Sequence, residues 1–261
     1  MGVLFPEKCL EARLAEAKKR GADVHMEERM ISFTPQEDGT LVNTDKGAYL
    51  ADKVILCVGP WIKDTLGEAV EIEFSVHRSV MYWMKVDDQC RSLYSANNFP
   101  VTMWDSGDGN MTIVFPRIKD EETVKVMHFP KEQLNLLKVK YEDQDRNVTE
   151  EEQIQMYEKF IRPYFTGITG ECQRKHTCFY TLSPTRRFVI DYPFQSNQAI
   201  LVVSACARQG FKYSAAIGEA VAERMLFNKN EKTFDIIERF GQVFAQAQIK
   251  EKPTVTNALA S

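Results

Sequence analysis

The sequence has no apolar run near the roughly 18–20 residues that a helix needs to cross a bilayer. Its start, MGVLFPEKC, lacks the order of a signal peptide, and its end, NALAS, is not the peroxisomal signal SKL. A formal net charge of −4 provides no basic excess for nucleic acid or for an anionic membrane. We therefore expect a cytoplasmic protein whose partners are neither nucleic acids nor membranes.

A disulfide-rich cysteine pattern and the motifs that hold nucleotide phosphates are both missing. The six cysteines have no disulfide-rich spacing, so we interpret them as reduced thiols. Neither GxGxxG nor GxxxxGK followed by Ser or Thr occurs, so the chain has no complete cradle for a dinucleotide or a nucleoside triphosphate. A structural zinc site needs four ligands, whereas Cys172, His176 and Cys178 supply only three. We expect no bound metal.

Local signals in the first half of the chain predict a helix, several strands and a hairpin. Pro6 and Gly21 bracket a predicted helix over residues 7–20. The apolar run Val54–Val58 is typical of a strand buried on both faces of a parallel sheet. Alternation of polar and apolar residues from Glu71 to about Phe129 predicts one antiparallel sheet, with a hairpin loop inside it.

In the second half, Thr149 and Glu152 form a capping-box signal for a helix over about 150–162. RFVIDY and QAILVVSA then predict two strands, and a loop and a helix rich in small residues follow. This order predicts an α/β (α+β mixed) fold, in which part of an α/β domain is interleaved with an antiparallel-sheet domain. The expected boundaries are 1–62 and 166–249 for the first domain, 63–165 for the second, and 250–261 for a flexible tail.

The segment HTCFYTLSPTRRFVIDYP raises the question of what Cys178 does. Spacing alone favours a packed strand cysteine. A metal ligand and a nucleophile remain as alternatives, because His176 is close enough in sequence to act as a base.

A second candidate region is the strand, loop and helix of ILVVSACARQGFKYSAAIGEAVAERM. Ligands of open α/β sheets collect where a strand ends and the next helix begins, although a small-residue helix that merely packs on a sheet gives the same pattern. Lys212 in the loop has the chemistry to hold a substrate carboxylate, or is a solvated lysine. His128, between Met127 and Phe129, is either a packed histidine or one that polarises a substrate.

Three stretches carry a more specific signal when they are taken together and in order. They are GVLFPEKCLEARLAEAKKRGADV with ADKVILCVGPW, then CFYTLSPTRRFVID, then VVSACARQGFKYSAAIGEAVAE. They resemble the monomeric sarcosine oxidase family of flavin-dependent amine oxidases, which includes N-methyl-L-tryptophan oxidase and L-pipecolate oxidase. The resemblance covers Gly2 to about Met225. It implies an FAD-binding α/β domain interleaved with an antiparallel-sheet substrate domain.

The family's activity implies a substrate, a cofactor and a product. The substrate would be a secondary amino acid such as sarcosine, N-methyltryptophan or pipecolate, whose C–N bond is oxidised. FAD would accept the electrons, and O2 would reoxidise it to give hydrogen peroxide.

The family's motifs, close to CxYTxTPDxxFxID and SGHGFKxxxxxGE, imply roles for individual residues. Cys178 matches the cysteine that forms a thioether with the flavin, and Tyr180 matches an aromatic residue of the substrate cavity. Lys212 matches the lysine that pairs with the substrate carboxylate, and His128 matches a histidine near the flavin face. Lys125 lies one position out of register with a family lysine that helps oxygen react.

The loop before Lys212 matches the family's Ser-Gly-His-Gly-Phe and is expected to lie against the flavin. Its residues here are Ala207, Arg208, Gln209, Gly210 and Phe211. Arg208 and Gln209 depart from the family pattern, and Arg208 is much bulkier than the glycine it replaces, whose small size lets backbone approach a flavin ring.

The family pattern begins with a βαβ unit that carries GxGxxG and holds the FAD pyrophosphate. This sequence matches the family only after that unit. We therefore expect weak or no FAD binding by this polypeptide alone, with a missing N-terminal segment or chain as a further partner. The alternative is a truncated, non-catalytic remnant that acts as a binding or interaction module, or has no function.

Overall fold

The computed structural model describes residues 3–67, 72–118, 121–129, 145–193 and 198–227, and the backbone of 241–242 and 255–256. The described chain divides into two compact units, each assembled from separated stretches of sequence. The first unit takes its residues from Met1–His25, Arg78–Leu136 and Asp145–Phe179. The second takes its described residues from Met26–His77 and Tyr180–Ser261.

This division differs in detail from the boundaries expected from sequence. The changes of unit fall after His77 and after Phe179, inside two long strands, rather than after residues 62 and 165. The N-terminal helix belongs to the first unit, although the sequence grouped it with the strands that follow it. A change of unit inside a continuous strand leaves no turn or linker for sequence reading to detect.

The first unit contains a five-stranded sheet and a helix that covers one face of it. Its elements are α1 (Pro6–Lys19), β5 (Ser75–Val86), β6 (Thr102–Asp105), β7 (Met111–Val114), β8 (Thr123–Phe129), α3 (Glu150–Met156) and β9 (Ile168–Leu182). The strand order is β6-β7-β8-β5-β9. The β6–β7, β7–β8 and β8–β5 pairs are antiparallel, which confirms the predicted antiparallel sheet. The hairpin loop lies between β6 and β7, as expected.

One face of this sheet forms the core of the first unit. Tyr82 of β5 and Val126 of β8 pack there with Met156 of α3. A π-helical turn, Tyr157–Ile161, extends α3 and adds Ile161 to the same cluster. Because side chains alternate along a strand, the residues between these positions lie on the opposite face of the sheet.

The helix α3 begins where the capping signal predicted. The Thr149 side chain accepts a hydrogen bond from the Glu152 backbone N–H at 3.1 Å. The helical segment, with its π-helical turn, ends at Ile161, shortly before Pro163. The helix predicted over 7–20 is also confirmed by α1, and Gly21 follows with φ of +91°.

The second unit contains two small sheets and one long helix. Its elements are β1 (Met30–Gln36), β2 (Gly39–Thr44), β3 (Ala48–Ala51), β4 (Val54–Leu56), α2 (Ile62–Leu66), β10 (Phe188–Asp191), β11 (Ile200–Ser204), α4 (Gly210–Phe227), β12 (Gly241–Gln242) and β13 (Val255–Thr256). One sheet has the order β13-β1-β2-β3, and the other has the order β12-β10-β11-β4. The backbone of β13 thus pairs with β1, within the stretch 250–261 that the sequence assigned to a flexible tail. The rest of that stretch lies outside the described residues.

Strand β11 is the centre of the second sheet, and Ile200, Leu201 and Val202 are fully buried. It pairs parallel with β4, as predicted, and antiparallel with β10. The expectation that β4 is buried on both faces is wrong, because Ile55 is 43% exposed while Leu56 is buried. The chain leaves β11 at Ser204, at the end of the strand where α4 begins after a short loop.

No helix in the described ranges is long and apolar enough to cross a membrane.

Candidate functional site

The face of the first sheet that lies away from the core gathers cationic and aromatic side chains. Trp83 of β5 lies directly opposite Lys125 of β8, so both side chains occupy the same face, away from the core. The Arg174 guanidinium lies 3.7 Å from the centroid of the Trp83 indole, and the Lys125 ammonium lies 3.9 Å from the centroid of Phe115. These short distances are typical of cation–π contacts, which hold the guanidinium and the ammonium against the aromatic rings of this face.

Cys178 of β9 belongs to this face. Its neighbours in the strand, Thr177 and Phe179, both contact Arg146: the Thr177 hydroxyl donates to the Arg146 carbonyl at 2.9 Å, and the Arg146 guanidinium lies 5.4 Å from the Phe179 ring. Alternation along the strand therefore directs the Cys178 thiol to the other side. Electrostatics agree with this placement, since Cys178 influences the pKa of Lys125.

Lys125 is the most perturbed cation of this face. Burial lowers the pKa of its ammonium, Cys178 and Glu7 oppose that change, and Arg174 adds to the lowering. The Lys125 ammonium near the Cys178 thiol would stabilise negative charge that develops on the sulfur or on a group bound to it. The face therefore combines a nucleophile, two positive charges and an aromatic platform.

The structure does not bring His128 together with Cys178. His128 follows Val126 in the β8 alternation and lies on the core side, where its ring stacks on Phe160 at a centroid distance of 3.6 Å. Its Nδ1 lies 3.1 Å from the Thr112 hydroxyl. Burial lowers the pKa of His128 to about 4, so the imidazole is neutral at physiological pH. The position expected beside the flavin is thus occupied by a packed histidine.

In the second unit, Tyr180 is buried in a stack of three side chains. Its ring lies parallel to that of His77 at a centroid distance of 5.2 Å, and the Arg208 guanidinium lies 5.8 Å from its centroid. His77 Nε2 in turn lies 2.8 Å from the Ser75 hydroxyl. The aromatic residue that the sequence singled out is therefore fixed in orientation by two partners.

The loop between β11 and α4 has an unusual backbone. Ala207 and Arg208 both have positive φ angles, +38° and +63°, in a region that favours glycine. The Ala207 N–H donates to the Thr181 carbonyl at 3.1 Å, and the Gly210 N–H donates to the Cys206 carbonyl at 2.8 Å. These bonds fold the loop back on itself, so Arg208 lies beside Tyr180 and α4 begins at Gly210.

Gly210 is required by close packing rather than by its φ angle. A Cβ atom at this position would overlap the carbonyl oxygen of Ala205. Any other residue would therefore push the start of α4 away from the end of β11. This tight turn explains why a glycine stands at this place in the loop.

Lys212 lies in the first turn of α4 and is exposed. Its ammonium lies 5.3 Å from the Tyr213 ring, whose own edge packs against Phe188. A helix N-terminus with a neighbouring lysine complements an anion such as a carboxylate. Arg208 and Lys212 thus bring two positive charges to this end of the loop.

The soft ligands near Cys178 do not converge on one point. Cys172 packs against the hydrophobic core of the first unit, and its Sγ contacts the Arg174 carbonyl at 3.1 Å. Within the described ranges, no three side chains of the types His, Cys, Asp and Glu are placed to hold a metal ion.

Sequence reasoning missed His77, Trp83 and Arg174. Each contacts a partner far away in sequence, so no local motif announces it. The alternation of SVHRSVMYWMKV predicts which residues share a face but not which strand lies beside them. The pairing of β5 with β8 supplies that information.

The sequence matches a known protein family and curated relatives. Residues 1–224 match the family described as FAD dependent oxidoreductase. The chain is 28% identical to monomeric sarcosine oxidase of Streptomyces avermitilis over 226 residues, which covers 86% of this chain and 57% of that protein. It is 26% identical to N-methyl-L-tryptophan oxidase of Escherichia coli, over 90% of this chain and 59% of the relative.

Solved structures show the same fold at lower sequence identity. The amino acid oxidase NikD, of nikkomycin biosynthesis, superposes with a TM-score of 0.71 at 19% identity, covering 91% of this chain and 60% of that one. Amadoriase I of Aspergillus fumigatus superposes with a TM-score of 0.65 at 16% identity, covering 88% and 53%. The chain thus spans less than two thirds of the length of each of these proteins. It belongs to the family of FAD dependent oxidoreductases.

Proposed function

We propose that this chain carries the flavin-ring and substrate half of an oxidase that acts on the C–N bond of a secondary amino acid. The substrate would resemble sarcosine, N-methyltryptophan or pipecolate, and O2 would be reduced to hydrogen peroxide. The observation that carries the proposal is the shared face of Cys178, Lys125 and Arg174 on the first sheet. A thiol near the Lys125 ammonium, with Arg174 further along the same face, suits the edge of an electron-accepting ring that becomes negative on reduction.

The residues that the chain contains fit the ring end of FAD. Cys178 would be the attachment point, and Lys125 and Arg174 would face the ring. When bound, FAD would supply the acceptor for the two electrons of C–N oxidation. The pyrophosphate end has no GxGxxG cradle in these 261 residues, so the fit extends to the ring alone. Retention of FAD by this polypeptide by itself is accordingly expected to be weak.

The second unit supports the substrate side of the proposal. Lys212 would pair with the substrate carboxylate, and Tyr180, held between His77 and Arg208, would shape the cavity. The loop Ala207–Phe211 would approach the flavin. Its Arg208 adds a cation to this region of the second unit, in addition to Lys212.

His128 is not part of this proposal. It lies on the core side of the sheet, while Lys125, three residues earlier, lies on the Cys178 face. We assign to Lys125 the role of the cation beside the flavin, where a positive charge promotes electron transfer to oxygen.

The proposal is tested by an assay for hydrogen peroxide with excess FAD and with sarcosine, N-methyl-L-tryptophan or L-pipecolate. Lys212→Gln should lower kcat/KM at least about tenfold, because a charge-assisted hydrogen bond to the carboxylate is lost. Lys63→Gln removes an exposed lysine elsewhere in the second unit and should leave the rate unchanged. Equal rates for the two variants would contradict the role of Lys212.

The second candidate is a non-catalytic remnant that serves as a binding module. The absence of GxGxxG and the bulk of Arg208 in the flavin loop favour it. It predicts that the chain forms no peroxide at any substrate concentration and that it retains no flavin.

A further inference from the structure

A cavity of about 220 Å³ lies in the first unit, on the side of the sheet away from Cys178. It is formed between β5 and β8 on one side and α3 with its π-helical turn on the other. Neither the thiol nor the cations of the flavin-facing side line it. The proposed oxidase reaction leaves this cavity without a role.

The inner wall of the cavity is apolar and suits a single ring. Val80, Met156 and Phe160 contribute to this wall. A hydrophobic cavity of about 150 Å³ in another protein accepts benzene, so the present volume has room for one aromatic ring and its substituents. Phe160 also lies flat against His128, which makes one side of the cavity planar.

His128 brings an unsatisfied polar atom to this wall. Its Nε2 is buried and has no hydrogen-bond partner within the described part of the chain. Nδ1 is already engaged by Thr112, so Nε2 is a donor or an acceptor according to the tautomer. A buried group in this state gains from a ligand that supplies the missing hydrogen bond.

Two cations line the cavity, and only one of them is already satisfied by its neighbours. Arg78 is satisfied by Glu152, by the Asp145 carbonyl and by the Asn147 carbonyl. Lys159, exposed on the helical side of the cavity, forms no ion pair with a carboxylate of the described ranges. An anionic group on a ligand would therefore meet an available ammonium.

We propose that this cavity binds a phenolic carboxylate, that is, one aromatic ring that carries a hydroxyl and a carboxylate group. The ring lies on the apolar wall and the carboxylate pairs with Lys159. The hydroxyl bonds to His128 Nε2, and it fits either tautomer because a phenol both donates and accepts.

The test is a calorimetric titration of the full chain with 4-hydroxybenzoate, benzoate and phenol, followed in parallel by the NMR signals of His128. 4-Hydroxybenzoate should bind about tenfold more tightly than benzoate, which lacks the partner for His128. Its binding should also shift the imidazole signals of His128 and hold the ring neutral to lower pH. Equal affinity for the two acids, or no shift at His128, would overturn the proposal.

Two variants separate the contributions. Lys159→Gln should weaken 4-hydroxybenzoate about threefold and leave phenol unchanged, because only the acid pairs with the ammonium. Lys175→Gln, at an exposed lysine of β9, is the matched control and should change neither. His128→Phe should reduce the affinity for 4-hydroxybenzoate to that for benzoate. A loss that is the same for Lys159→Gln and Lys175→Gln would overturn the proposal, and it leaves the oxidase hypothesis untouched.

Discussion

Arg208 combines a left-handed backbone with a side chain that lies over Tyr180. The related family pattern has glycine at this position, and glycine adopts a positive φ without steric cost. Arg208→Gly should therefore be more stable than Arg208→Ala by about 1 kcal/mol, since both variants lose the guanidinium and only alanine retains the strained Cβ. Chemical denaturation of the two variants measures the difference. Equal stabilities would mean that the loop relaxes and carries no strain.

Arg208 also illustrates which features of the site could not be predicted from the sequence. The sequence placed Cys178 on a strand, which β9 confirms, whereas Lys212 was expected in a loop and lies in the first turn of α4, which begins at Gly210. It did not reveal that Arg208 rests on Tyr180, or that His128 faces the core. Those facts depend on strand register and on a folded loop, which bring together residues distant in sequence.

At the scale of the single element, α4 contains two glycines in different surroundings, Gly210 and Gly218. Gly210→Ala should destabilise the chain by about 3 kcal/mol or more, because the new Cβ overlaps the Ala205 carbonyl and displaces the start of the helix. Gly218→Ala should instead stabilise it by up to about 1 kcal/mol, because nothing lies within 4 Å of the added methyl and alanine favours helix. Thermal unfolding of both variants gives the two signs. An unchanged stability in Gly210→Ala would contradict the packing described for Gly210, and a loss in Gly218→Ala would contradict the open space described for Gly218.

The start of α3 provides a second test at this scale. Thr149→Ala removes the hydroxyl that accepts from the Glu152 N–H and should lower the free energy of unfolding by about 1 kcal/mol. Thr149→Ser keeps the acceptor and should remain within a few tenths of a kcal/mol of the parent. Urea denaturation of the pair checks this, and a serine variant as unstable as alanine would show that the methyl group, not the cap, matters.

Helices and caps were predictable because their signals are local, whereas burial of individual strands was not. The capping box of α3 and the proline and glycine that bracket α1 are examples of the first kind. The apolar run of β4 is an example of the second, since Ile55 is exposed although its neighbours in sequence suggested burial on both faces. Exposure depends on what covers a sheet, and three residues of sequence do not contain that information.

At the scale of the whole molecule, His128 makes stability depend on pH. Burial lowers its pKa to about 4, from 6.5 for an ordinary histidine, so the unfolded chain binds the proton more readily than the folded chain. The stability that the neutral ring contributes is therefore complete above about pH 6.5 and is lost as the pH falls towards 4, by up to about 3 kcal/mol. Unfolding measured across this range should show a steeper fall for the parent than for His128→Gln. His25→Gln, at an exposed histidine, is the control. If His25→Gln reduced the pH dependence of unfolding and His128→Gln did not, His128 would not be the source of that dependence.

Our central claim at the scale of the whole molecule is that the Cys178 face of the first sheet receives a flavin ring. The most direct measurement is mass spectrometry of the Cys178 peptide after incubation of the full chain with FAD and precipitation with acid. We predict a flavin adduct on that peptide, even if its yield is low. The adduct should disappear in Cys178→Ser and remain in the matched control Cys206→Ser. A parent chain whose Cys178 peptide carries no flavin, or an adduct that persists in Cys178→Ser, would contradict the claim.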